Sequence, residues 1–345
     1  MKVIDFDHDA GLLELFLDFP RQLYASDSNW MPDPAEARQL ADSGSQQSLW
    51  RNFLALDGDE VCGRVTASVN PRLCDENNQP YGQLGFYECI DDRQASRLLL
   101  DRATSWLQEN VPAGARILAP MNFDTWHSYR FRIRGFDEPT FFMEPYNPSY
   151  YPSLLAAHGF EPASRYITKT VTDLSPLLAF WEPHHRKDAA AKGFTCRSIN
   201  LEAVREEISL IHRLSQEIFR ENLFFTEISE ADFRALYAAA AGSLDPDLFL
   251  FLLDASGEPV GLCFVLADHR QPERANVKTF GLLPHIRHTG VGAGFAHEIY
   301  SRLQAKGFTS VNHCLMRAGN RAEAFDGGLG EITREYTLYS RSLES

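Results

Sequence analysis

The residues whose types and spacing most clearly point to chemistry are Arg287-His288-Thr289-Gly290-Val291-Gly292-Ala293-Gly294. Ahead of them, residues 277–283 are apolar and β-prone. Behind them, residues 295–306 read as a helix that stops at Gly307. A strand, a glycine loop and a helix in that order form an anion site. The loop's backbone N–H groups and the helix start converge on one point, and the helix dipole adds partial positive charge there. Glycine lets the backbone approach the bound group and takes up φ > 0 where needed. Two rival motifs fit worse. There is no Gly-Lys-Ser/Thr of a Walker loop, and no Gly-x-Gly-x-x-Gly opening a βαβ unit with an acid further on. On its own, the motif is also compatible with an ordinary glycine-rich turn before a helix.

Other chemistries find little support. The six cysteines are scattered, with no Cys-x-x-Cys pair, and read as buried small hydrophobes in a reducing compartment. His184 and His185 are adjacent and point apart on a helix, and no metal-spaced cluster appears, so no metal is expected. There is no Gly-x-Ser-x-Gly elbow. The formal net charge of −14 argues against nucleic acid as a partner. No apolar run approaches the roughly 18 residues of a membrane span. The N-terminus, Met-Lys-Val-Ile-Asp-Phe-Asp-His-Asp, lacks the apolar stretch of a signal peptide. A cytoplasmic protein without membrane partners is expected. With 345 residues the chain is long enough for two domains.

The elements that must position the loop follow in order. Residues 3–6 read as a strand, and 9–24 as a helix with Asp9 as its cap. Residues 50–56 and 61–69 flank Asp57-Gly58-Asp59 as a hairpin. A strand at 81–90, a helix at 92–110 and a short strand at 117–120 complete the first series. Residues 120–147, rich in aromatics and arginine (Trp126, His127, Arg130, Arg132 among them), read as a long loop suited to binding or packing. Residues 165–172 read as its last strand. The second half repeats the pattern. It has a strand at 194–199, a helix at 201–219, a capped helix from Ser229 over 230–241, and a hairpin of 248–253 with 260–267. The loop strand, a strand at 310–316, a turn at 320–328 and a strand at 331–343 follow. One supersecondary order spelled twice is an internal duplication.

Arg287-x-x-Gly290-x-Gly292, after a strand and before a helix, resembles the (Arg/Gln)-x-x-Gly-x-(Gly/Ala) motif of the GNAT superfamily of acyl-CoA N-acyltransferases. The β-α-ββ-β-α-β order is similar to a GNAT core. Asn147-Pro-Ser-Tyr150-Tyr151, running to Gly159-Phe160, resembles the GNAT segment in which an Asn precedes a short helix. The stretch 120–151 is similar to that of uncharacterised bacterial tandem GNAT-like proteins. The resemblance implies an α+β fold of two tandem GNAT-like domains, each a mixed, mostly antiparallel sheet flanked by helices. Residues 1–175 would be a GNAT-like domain lacking the phosphate-loop motif, 176–192 a linker, and 193–345 a GNAT domain with the acyl-CoA loop. In the first copy, Asp91 and Asp92 stand where the glycine loop belongs and would repel a pyrophosphate.

The resemblance further implies acetyl-CoA or another acyl-CoA as co-substrate. The backbone of Arg287, His288, Thr289, Gly290, Val291, Gly292 and Ala293 would hold the pyrophosphate. Phe280, Gly281 and Leu282 would face the pantetheine arm and thioester, and Asn320 would open the segment that follows. The expected reaction is acyl transfer to an amine of a small molecule or peptide, with a homodimer compatible. Such transfer needs a base for the amine, polarisation of the carbonyl and often an acid for the thiolate. Glu227, in a loop expected over the substrate, is the first candidate base, with Asp268 and His269 as rivals. The GNAT tyrosine is absent from Asn320-Arg-Ala-Glu-Ala-Phe325, so Tyr336 and Tyr339 are candidate substitutes. The missing tyrosine leaves open a protein that binds acyl-CoA without transferring its acyl group.

Overall fold

The computed structural model describes residues 1–32, 40, 48–184, 192–237 and 244–343, which form two compact units. The first comprises Met1–Arg165, Leu223–Thr226 and Tyr336–Ser345, and the second Tyr166–Asn222 and Glu227–Glu335. His185 and the expected linker residues through 191, and the end of the expected helix at 238–241, lie outside the described residues.

The first unit begins with β1 (Lys2–Phe6) and α1 (Ala10–Leu23), then β2 (Leu49–Asp57), β3 (Glu60–Cys74) and β4 (Pro80–Cys89). It continues with α2 (Arg93–Asn110), β5 (Arg116–Ala119), β6 (Phe131–Arg134) and α3 (Tyr151–Ala157). Asp9 and Asp92 cap α1 and α2, accepting from the N–H groups of Leu12 at 2.9 Å and Ala95 at 2.8 Å. The chain passes through β7 (Glu161–Val171) and α4 (Leu174–His184) to β8 (Thr195–Ser198) and α5 (Val204–Phe219). It then forms α6 (Glu230–Tyr237), β9 (Phe249–Leu253), β10 (Pro259–Ala267), β11 (Arg274–Leu282), α7 (Val291–Ala305), β12 (Ser310–Arg317) and β13 (Glu331–Ser342).

In the first unit the strands run β1-β2-β3-β4-β5, followed by the last residues of β13. All pairs are antiparallel except β4 with β5. In the second unit the order is β7-β12-β11-β10-β9-β8, with β11 and β12 parallel. Sequence order places strand 165–172 at the end of the first half and strand 331–343 at the end of the second. The hydrogen bonds run the other way. Tyr166–Val171 of β7 pairs with β12, and Tyr339–Ser342 of β13 pairs with β5. Alternation marks these segments as strands but carries no information about their partner.

Each unit has its own core. In the first, Leu99, Ala103 and Leu107 of α2 pack with Ile117, Tyr151 and Tyr339, and a smaller cluster forms around Phe16 and Phe86. In the second, Phe295, Ile299 and Leu303 of α7 pack with Phe251, Leu262 and Val311. The six cysteines are free, and burial pushes the Cys89 and Cys196 thiols up to about 12. Two local differences from the sequence reading matter for function. Strand β6 lies inside the stretch read as a loop, and α7 begins at Val291, four residues early. Gly290 takes the left-handed conformation at φ 84° and serves as the helix cap residue.

Candidate functional site

In the second unit β11 is paired with β10 to its end, but with β12 only from Arg274↔Ser310 to Val277↔His313. Beyond that point β12 follows β7 as far as Arg317, while β11 stays with β10 as far as Leu282. The two parallel strands therefore part and leave a wedge. A bulge starts the parting. Phe264 pairs with Thr279 and Val265 with Val277, so Lys278 is the extra residue. Among the described residues, nothing besides β10 is hydrogen-bonded to Thr279, Phe280 or Gly281. Gly281 has a packing reason: a Cβ there would lie 2.5 Å from Cγ2 of Ile218 on α5.

Past Leu282 the chain makes a 3-10 turn at Pro284–Ile286, then Arg287, His288, Thr289 and Gly290 lead into α7. The first N–H groups of α7 have no acceptor within the helix, and the dipole makes that end positive. The Arg287 guanidinium does not face outward. It donates to the carbonyls of Leu282 at 3.1 Å and Ile218 at 2.6 Å, and pairs with Glu221 at 2.7 Å. Its side chain staples the loop to the end of α5. Thr289 is also internal, its hydroxyl donating to the Ile286 carbonyl at 2.8 Å. Exposed His288 sits 2.8 Å from the Arg321 guanidinium, and Lys192 reaches the Thr289 carbonyl. In a chain of net charge −14, the loop thus carries a basic collar. A Cβ on Gly292 would lie 3.1 Å from Leu282 and 3.9 Å from Phe325, so this turn of helix is kept narrow.

The remaining expected residues divide. Val291 is buried, and the Ala293 N–H is bonded to the Gly290 carbonyl at 3.2 Å. The Phe280 ring lies tilted against those of Phe325 and Phe295, with ring centroids 4.0 and 5.3 Å away. Asn320 begins the 3-10 turn Arg321–Asp326 without a side-chain cap bond. Glu227 is exposed and has no hydrogen bond or ion pair among the described residues. Asp268 is buried and closes a turn, accepting from the N–H groups of Arg270 and Gln271 at 2.9 and 3.2 Å. Tyr336 and Tyr339 belong to the first unit and are core residues there. The Tyr336 hydroxyl donates to Glu144, which also takes a 2.7 Å bond from Arg132, all three buried. Burial raises the Tyr339 phenol.

His313, a histidine that the sequence places on an internal strand as a packed residue, sits in a buried cluster at the wedge's apex. His313 lies on β12 at the last ladder pair, with Nε2 2.8 Å from the Tyr300 hydroxyl. That hydroxyl also meets the Phe325 carbonyl at 3.1 Å. His313 Nδ1 is buried without a partner among the described residues, and burial lowers the ring's pKa to about 4. Nearby Lys169 is paired with buried Asp326 at 2.8 Å. The strand marks His313 as internal, while its partner Tyr300 is not legible from the strand itself.

The first unit has the same parting of strands. There β4 and β5 pair only at Gly82↔Ile117 and Gln83↔Leu118. Here the wedge is filled by the chain itself. Met121 N–H donates to the Leu84 carbonyl at 2.8 Å, and the Asn122 side-chain oxygen accepts from Phe86 N–H at 2.8 Å. Further along, the Tyr151 hydroxyl accepts from Cys89 N–H and the Tyr150 hydroxyl donates to the Cys89 carbonyl, each at 2.8 Å. A Cβ on Gly85 would lie 2.5 Å from the Met121 carbonyl oxygen, so glycine is what lets the plug seat.

A parallel pair that splays after a bulge, followed by a glycine loop and a helix, defines the GNAT fold, here built in tandem within an α+β chain. Solved structures agree. A conserved protein of Enterococcus faecalis V583 superposes with a TM-score of 0.62 at 11% identity, covering 99% of this chain and 73% of that one. A tandem GNAT protein from the clavulanic acid biosynthesis pathway gives 0.54 at 11% identity, covering 99% and 98%. A GCN5-related N-acetyltransferase from Sphaerobacter thermophilus gives 0.51 at 14% identity, covering 99% and 96%.

In sequence, the chain is 24% identical over 255 residues to Protein YghO of Escherichia coli (strain K12), spanning 72% of this chain and 63% of that protein. It is 21% identical over 261 residues to the bacterial ceramide synthase of Caulobacter vibrioides (strain NA1000 / CB15N), spanning 74% and 67%. The matches thus take in about two-thirds of each relative's length. No family model matches the chain.

Proposed function

We propose that this chain is an acyl-CoA-dependent N-acyltransferase whose donor is held by the second unit. The observation that carries this reading is the open β11 edge at Thr279, Phe280 and Gly281, leading directly into the Arg287–Ala293 loop and the start of α7. The donor fits these residues. The strand edge offers backbone groups for the pantetheine amides and an N–H to polarise the thioester carbonyl. The loop and helix start offer N–H groups and a positive dipole for the pyrophosphate, inside the collar of His288, Arg321 and Lys192. Asn320, at the head of the turn carrying Arg321, completes the donor side.

The proposed acceptor is an amine of a small molecule or peptide, and the simplest donor is acetyl-CoA. The ceramide synthase of C. vibrioides brings longer acyl groups into range as well. The proposal includes a cytoplasmic location, one donor site per chain, and neither metal nor nucleic acid as partner. The second reading is binding of acyl-CoA without transfer. It is favoured by Phe325 on the 3-10 turn where the resemblance calls for a tyrosine, and by the burial of Tyr336 and Tyr339 in the other unit.

Calorimetry of the full chain with CoA, acetyl-CoA and a long-chain acyl-CoA tests the donor. Binding of none of them ends both readings. Thiol release in the presence of an amine panel separates them: turnover supports transfer, and tight binding without turnover supports the second reading.

A further inference from the structure

In the second unit the wedge between β11 and β12 is open along one strand edge and closed at its end. The ladder itself seals the apex, joining β11 to β12 from Arg274↔Ser310 to Val277↔His313. Toward α7, the Tyr300 hydroxyl meets His313 Nε2 at 2.8 Å, and the Phe280 ring lies against Phe295 with centroids 5.3 Å apart. From α5, Ile218 fills the place that a side chain at residue 281 would take, its Cγ2 only 2.5 Å from a Cβ there. The Phe325 ring, carried by the 3-10 turn Arg321–Asp326, comes to 4.0 Å from that of Phe280, centroid to centroid. Carbon atoms touch at about 3.5–4.0 Å, so a methylene chain lying between two rings needs them roughly 7–8 Å apart. The Phe280 and Phe325 rings leave no such gap.

Phe325 is fixed by its backbone as well as by its ring. Its carbonyl accepts from the Trp181 indole N–H and from the Tyr300 hydroxyl, each at 3.1 Å, which uses both lone pairs of that oxygen. The next residue, buried Asp326, pairs with Lys169 at 2.8 Å. It also accepts from the N–H groups of Gly328 at 2.9 Å and Gly330 at 3.2 Å. Phe280 and Phe325 themselves are only half-buried. One ring stands on the free strand edge and the other is tied to α4, α7 and β7, so together they form a firm wall beside that edge.

We propose that this closed end makes the site a slot for a short acyl group, with Phe325 and Phe280 setting the limit on chain length. The proposal rests on the reading that the second unit holds the donor. An arm that pairs with the free edge of β11 runs from the Arg287–Ala293 loop back along Gly281, Phe280 and Thr279. Its acyl end is then the end nearest the apex, beside the two rings. A short acyl group ends within the slot. A long one has to part Phe325 from Phe280 or turn out of the slot altogether. Of the donors within range, the packing selects the short ones.

The test uses the full chain and two substitutions, Phe325→Ala and Phe280→Ala. Phe325→Ala removes the ring and keeps the carbonyl that Trp181 and Tyr300 hold. Calorimetry gives the affinities for CoA, acetyl-CoA and octanoyl-CoA, the last at concentrations where it is monomeric, and thermal unfolding checks the fold. For the wild-type chain, octanoyl-CoA is expected to bind at least about tenfold more weakly than acetyl-CoA. In Phe325→Ala, octanoyl-CoA is expected to gain at least about tenfold, with CoA and acetyl-CoA within about threefold of wild type. A general loss of packing weakens all three ligands alike, so a selective gain separates a size limit from a structural role. If Phe325→Ala unfolds, Phe280→Ala is read in its place with the same expectation. Octanoyl-CoA bound by the wild-type chain as tightly as acetyl-CoA overturns the proposal. So does a folded ring variant that keeps the wild-type preference or weakens all three ligands alike. Failure of the wild-type chain to bind CoA and acetyl-CoA overturns instead the reading on which it rests.

Discussion

The two units open the same wedge between a parallel pair and then use it oppositely. In the first, the edge of β4 is consumed by Met121, Asn122, Tyr150 and Tyr151, which bond to Leu84, Phe86 and Cys89. In the second, Thr279, Phe280 and Gly281 of β11 are bonded, among the described residues, to β10 alone. Buried backbone groups must find partners. The first unit supplies them from its own chain, while the second leaves the β11 edge unpaired by β12 beyond Val277. The helix starts differ in the same sense. Asp92 caps α2 with its own carboxylate, whereas α7 starts from Gly290 with no side-chain cap. On the proposed reading, the group at a helix start, Asp92 in the first unit and Gly290 in the second, decides which unit can take a phosphate.

The largest expected effect comes from undoing that difference in the second unit. Gly292→Glu places a carboxylate against Leu282 and Phe325 at the helix start. It adds bulk where a Cβ is already tight and negative charge where a pyrophosphate is to bind. Acyl-CoA affinity is expected to fall at least about 10³-fold, on the order of 4 kcal/mol. Calorimetry reads this directly, and wild-type-like binding by the variant means the donor sits elsewhere.

Much of this contrast was legible in the sequence, because it rests on residues with strong local rules. The three glycines, the strand before them and Asp92 before a helix each carry a backbone consequence. The plug was not legible. Asn122 and Met121 act through single hydrogen bonds to a strand about 36 residues away, and nothing in their own neighbourhood announces the partner. The pairing of β7 with β12 and of β13 with β5 was hidden for the same reason. His127 stood out only as one polar group in an aromatic stretch. Its buried hydrogen bond to Asp124, three residues earlier, is not announced by residue type alone. Tyr336 and Tyr339 were attractive by residue type, but an alternating strand does not say which unit's core it will enter.

The apices of the two wedges offer a second, smaller contrast. The last ladder pair is Gln83↔Leu118 in the first unit and Val277↔His313 in the second. Burial, opposed by Asp326 and assisted by Lys169, lowers His313 from its ordinary 6.5 to about 4. Between those values the unfolded chain binds a proton that the folded chain does not, so stability rises with pH. The contribution is complete above about 6.5 and lost as pH falls toward about 4, amounting to about 3 kcal/mol at most. Urea unfolding at a series of pH values in this window reads the slope. His313→Phe is expected to flatten it, and an unchanged slope in that variant assigns the acid sensitivity to other groups.

The smallest effect tests the plug itself. Asn122→Ala removes the oxygen that accepts from the N–H of Phe86, itself only 5% exposed. An orphaned buried donor costs about 1–3 kcal/mol, so denaturant unfolding is expected to shift by that amount. The loss of stability alone does not separate a plug from any other buried hydrogen bond. The stoichiometry of acyl-CoA binding does. Freeing one backbone N–H does not create a donor site in the first unit, because Asp92 still caps α2 and Tyr150 and Tyr151 still hold Cys89. One acyl-CoA per chain is therefore expected before and after the substitution. Two would mean that a single side chain stood between the units' different uses of the wedge, and that the acidic helix start of the first unit is no barrier to phosphate.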